Sequence, residues 1–126
     1  MIELIHVHLY RTSVICFVES SEEEYKKWFE ENKPKVTERD FVDFDDKFND
    51  SKVKGFCFET EQNDYIVYVS DKTKIELIVH ELFHAANMIL QHKGYVPDDI
   101  GEPLAYLLEY LVKEFNSTFN PDGEYT

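Results

Sequence analysis

Residues 73–94 read TKIELIVHELFHAANMILQHKG, and the fold of the chain turns on how this stretch coils. Ile75, Ile78, Val79, Leu82, Phe83, Ala86 and Ile89 recur three and four residues apart, the spacing of one helix face. Thr73 and Glu76 have the form of a capping box, and Gly94 that of a C-terminal stop. The pattern predicts a helix running to about Lys93. His80 and His84 then lie one turn apart on the same side, off the centre of the apolar stripe, with Leu77, Asn87 and Gln91. Two imidazoles in that relation can share one ion, and Glu81 beside the first can reach a water on it. This is the HExxH arrangement of two ligands and a general base.

A catalytic zinc needs a third protein ligand and one open position. Downstream lie His92, Asp98, Asp99, Glu102 and Glu109. His92 is two turns further along the same helix, too distant for the same ion. Glu102 is the first choice, because it opens the next helix, predicted over roughly 102–116, and a short loop returns that helix antiparallel to the first. Glu109 projects from the same face two turns on and is the second choice. Glu102 also reads as a helix-start residue, since Asp99 and Glu102 have capping-box spacing and Pro103 suits a first turn. Tyr106, one turn beyond Glu102, is the first candidate to donate to an oxyanion, with Tyr95 and His92 behind it. It also reads as a core tyrosine between the two helices.

Upstream, residues 2–10 and 13–19 are rich in β-branched and aromatic residues and predict two strands with a turn at Arg11-Thr12. Ser21 and Glu24 form a capping box for a helix that carries Tyr25, Trp28 and Phe29 and stops at Pro34. Residues 33–52 are charged and irregular and read as a long acidic loop, with Phe41, Phe44 and Phe48 pinning it down. That loop could cover the cleft as a lid. Residues 53–60 and 64–70 predict a hairpin about Gln62-Asn63, and residues 117–126 a polar tail. The order predicts one small α+β domain over residues 1–126 with a mostly antiparallel sheet.

HELFHA, a gap, and then Glu-Pro-Leu-Ala-Tyr-Leu at residues 102–107 resemble the gluzincins, zinc metallopeptidases with a glutamate ligand on the helix after HExxH. The small size and the Glu-x-x-Ala-Tyr-Leu pattern are most similar to the minigluzincins and to small phage- and bacteria-encoded HExxH proteins. The resemblance covers about residues 64–116. It implies a zincin-like fold, one zinc ion on His80, His84 and Glu102, Glu81 as base, and a peptide substrate lying along a sheet edge beside the helix. Pro103 departs from the common pattern, and residues 1–52 carry no such resemblance.

Composition bounds the alternatives. The chain has 126 residues, 43% of them hydrophobic, which provides one core. Its net charge of −13 repels nucleic acid and anionic membrane. No apolar run is long enough to span a bilayer, and the N-terminal residues lack a signal-peptide pattern, so a cytoplasmic location is expected. Cys16 and Cys57 have no CxxC spacing and are expected to be buried free thiols. His6 and His8 share a strand face without a third ligand nearby, and residues 40–46 lack the Gly and Glu of a calcium loop. Two functions compete: a zinc peptidase, and a non-catalytic binding or scaffolding domain with zinc structural or absent.

Overall fold

A computed structural model describes residues 1–123. Two central strands, β2 (Thr12–Val18) and β4 (Tyr65–Val69), are apolar and buried over Val14–Val18 and Tyr65–Val69 because both of their faces are covered there. Val14, Cys16 and Val18 face one side with Tyr65, Val67 and Val69, while Ile15 and Phe17 face the other with Ile66 and Tyr68. Strand β1 (Ile2–Val7) pairs antiparallel with β2, and β3 (Gly55–Glu59) antiparallel with β4. The two hairpins join through a parallel β2–β4 pairing, Val14 opposite Tyr65 and Val18 opposite Val69. The sheet order is therefore β1-β2-β4-β3. It is a mixed sheet, with β1 and β3 as its edges.

Helices α1 (Glu22–Asn32) and α2 (Glu38–Asn49) cover one face of the sheet. Helices α3 (Ile75–His92) and α4 (Gly101–Phe119) cover the other. The chain thus runs ββαα twice in an α+β arrangement, one helix pair to each face. None of the described helices is long and apolar enough to cross a membrane.

Several local expectations need correction. The acidic stretch over 33–52 is not a loop, because residues 38–49 form α2. Thr37 caps it by accepting from the Asp40 N–H, and Phe44 is buried among Phe17, Tyr25, Phe29 and Phe56. The Tyr25 hydroxyl donates to the Asp45 carboxylate and ties α1 to α2. The first strand ends at Val7, and a short 3-10 turn over His8–Tyr10 leads to Arg11 in the left-handed region, φ 53°. The box at Ser21 forms in full, with both of its hydrogen bonds present. The one predicted at Thr73 does not, since α3 starts after Lys74 and the Thr73 hydroxyl donates to Asp71 instead. Helix α4 continues through residues 117–119, which were assigned to the tail. Phe115 and Phe119 anchor it in the core, and the Asn120 amide donates to the Lys72 carbonyl at 2.8 Å. Residues 124–126 of that tail lie outside the described residues.

Candidate metal centre

Helix α3 presents three different environments around its circumference, and the HExxH residues fall on two of them. Ile78, Leu82, Ala85, Ala86 and Ile89 are fully buried against the sheet. His80 and His84 stand on the exposed side. Their Nε2 atoms are 3.2 Å apart, and the rings meet edge to face at 4.7 Å between centroids. Two nitrogens each bound to zinc at tetrahedral angles are about 3.3–3.4 Å apart, a separation close to that of the two imidazole nitrogens.

Glu81 is turned away from solvent, with 4% of its surface exposed. It packs under the edge strand β3. A Cβ at Gly55 would lie 2.9 Å from Glu81 Oε2 and 3.0 Å from its Cγ. Only a residue without a side chain lets the strand approach the carboxylate so closely. Burial raises the Glu81 pKa above its ordinary value, and the positive charges of His80 and of Lys47 on α2 pull it partly back. One donor atom from each of His80, Glu81 and His84 falls within 4.8 Å of the others, the one such group of His, Cys, Asp and Glu among the described residues.

Glu102 and Glu109 do not join that group. The reason is the flank on which α4 lies. Val79 shares a groove with Ala105, Leu108, Glu109 and Val112 of α4, whereas Glu81 meets β3. Positions 79 and 81 are about 200° apart around a helix, so α4 runs along the side of α3 opposite the carboxylate. Glu102 instead lines a cavity with Tyr10, Tyr95, Tyr106 and Tyr110. Tyr106, the expected oxyanion donor, is there too and is 68% exposed, so it is not a core tyrosine between the helices. Asp99 and Glu102 do not cap α4 either, since its N-cap is Ile100 with no side-chain hydrogen bond. His92, the last residue of α3, pairs with Glu59 at the end of β3.

Both cysteines are free, and burial lifts the Cys16 thiol to about 12 and the Cys57 thiol well above its usual value. His6 and His8 stack at 5.8 Å and His6 Nδ1 lies 3.2 Å from the Ser13 hydroxyl, but they form no group of ligands. Gly55 is a site residue that sequence reading missed. A lone glycine inside a strand pattern was its signal. The chain matches no protein-family model, no curated protein and no solved structure.

Proposed function

We propose that the chain is a zinc-dependent hydrolase of peptide bonds centred on His80, Glu81 and His84. The observation that carries this reading is the 3.2 Å separation of the two Nε2 atoms with the buried carboxylate beside them. His80 and His84 would hold the ion. A zinc ion held there would supply an acidified water and Lewis-acid stabilisation of a substrate carbonyl. Glu81 would serve as the group that takes up a proton and hands one to the leaving amine. Its burial suits the task, since a carboxylate with a raised pKa exchanges protons more readily near neutral pH. Strand β3 lies directly against the motif and is a sheet edge, along which an extended peptide can add as a further strand. Glu102 and Tyr106 take no part in these steps.

A second reading rests on one observation: neither downstream glutamate joins the imidazoles. A site of two exposed histidines, without a third protein ligand, suits a binding or scaffolding domain that carries zinc without catalysis. Zinc titration by calorimetry together with a peptide-library assay separates the two. The peptidase reading expects one equivalent of zinc in the wild type, lost in His84→Ala and kept in Glu81→Gln, with cleavage abolished in both variants. Zinc bound with no cleavage of any peptide would leave the second reading. A wild type that takes up no zinc would remove the peptidase reading and leave a binding or scaffolding domain with zinc absent.

A further inference from the structure

The cavity that holds Glu102 has a chemistry of its own. It measures about 600 Å³, within the range of small-molecule sites. Its walls come from three parts of the chain: the turn after β1, the connection between α3 and α4, and the outer face of α4. Four tyrosines line it: Tyr10, Tyr95, Tyr106 and Tyr110. Tyr10 and Tyr95 meet edge to face at 6.4 Å, and the Tyr110 hydroxyl donates to the His6 carbonyl at 2.7 Å, which fixes that ring against β1. Glu102 is the sole carboxylate of the lining and no lysine or arginine contributes to it; besides the tyrosines, His8 is its one other ionisable side chain.

Aromatic faces carry negative charge density and attract cations, most strongly those that are weakly hydrated. A primary ammonium would have to surrender a tight water shell and have all three of its N–H groups accepted again inside the cavity. A quaternary ammonium has a thin water shell and no N–H to satisfy. It gains from the ring faces and from a carboxylate at longer range. A purely apolar ligand would gain from the rings but nothing from Glu102. The net charge of −13 further favours a cation over an anion.

We infer that the four-tyrosine cavity with Glu102 binds the quaternary ammonium group of a small molecule. The inference does not involve the metal centre, and its test uses metal-free protein. Choline and its uncharged carbon isostere, 3,3-dimethylbutan-1-ol, are titrated into the full chain and followed by nuclear magnetic resonance. Choline is expected to bind saturably and about fivefold or more tighter than the isostere. Tyr106→Leu, at an exposed position, and Glu102→Gln should each weaken choline several-fold, and Glu102→Gln should leave the isostere unchanged. Equal affinity for the two probes, or no saturable binding of choline at millimolar concentration, would overturn the inference. So would choline shifts that survive both substitutions.

Discussion

Replacing Gly55 with alanine asks whether β3 and the motif helix are locked together through Glu81. The added Cβ would lie 2.8 Å from Leu77 Cδ1, 2.9 Å from Glu81 Oε2 and 3.0 Å from Glu81 Cγ. Carbon atoms rest comfortably at about 3.5–4.0 Å, so the carbon contacts are short by about 0.5 Å or more. Leu77 is only partly buried and its end can turn aside. Glu81 is 4% exposed and has nowhere to retreat without opening the strand–helix contact. Overpacking of this kind costs about 1–3 kcal/mol. For a chain of this size that lowers the melting temperature by roughly 3–15 °C. Urea denaturation followed by the fluorescence of Trp28, the single tryptophan, which packs on Phe17 and Phe29, reads the loss directly. Two of the three short contacts belong to Glu81, so in a Glu81→Ala background the same substitution should cost about 1 kcal/mol less. A neutral Gly55→Ala, or an undiminished cost in the Glu81→Ala background, would refute the packing argument.

Three further outcomes are expected. Glu81→Gln should raise the melting temperature of the metal-free protein at pH 7. The folded-state pKa of Glu81 lies above its unfolded value, so the wild type loses stability as pH rises from the unfolded pKa through the folded one. The advantage of the variant should therefore vanish near pH 4, and an advantage that persists there would discount the burial argument. Phe44→Ala should destabilise by about 3–5 kcal/mol in the same urea assay, because Phe44 is 1% exposed at the centre of the aromatic layer; a loss below about 1 kcal/mol would return residues 38–49 to the status of a surface lid. Cys16, with its thiol pushed up to about 12, should resist iodoacetamide at pH 8 until the protein is unfolded, as mass spectrometry would register.

The parts of the fold that depend on local pattern were legible. The period of residues 75–89 and the box at Ser21 gave two helices, and the apolar runs of β2 and β4 gave the central strands. Helix α2 was missed because its charge density argued for solvent. Yet Phe41, Phe44 and Phe48 are spaced three and four apart, and Thr37 stands as a cap before them. The box at Thr73 was misplaced because α3 starts one residue later than expected, with Lys74 as its N-cap. The pairing of His80 with His84 could be read because it lies within a single helix. The position of Glu102 could not. A short loop fixes that α4 returns antiparallel to α3, but the flank it takes is decided by the packing of Leu107, Leu111 and Phe115 onto the sheet, which no spacing in the sequence records.

The parallel seam between β2 and β4 has a consequence for how the chain folds. Each hairpin and its helix pair is nearly local in sequence, but Val14 and Tyr65, partners across the seam, are 51 residues apart (65 − 14). Closing that interval costs loop entropy before any seam contact is gained. The two ββαα halves are therefore expected to form before the seam docks, an order that stopped-flow folding of seam variants such as Val67→Ala would test. Until it docks, Val14–Val18 and Tyr65–Val69 are open edges, apolar on both faces and able to pair with another chain as readily as with each other. A chain cut between Asn49 and Gly55 would carry one such edge on each fragment, and reassembly of the two halves would compete directly with aggregation of each.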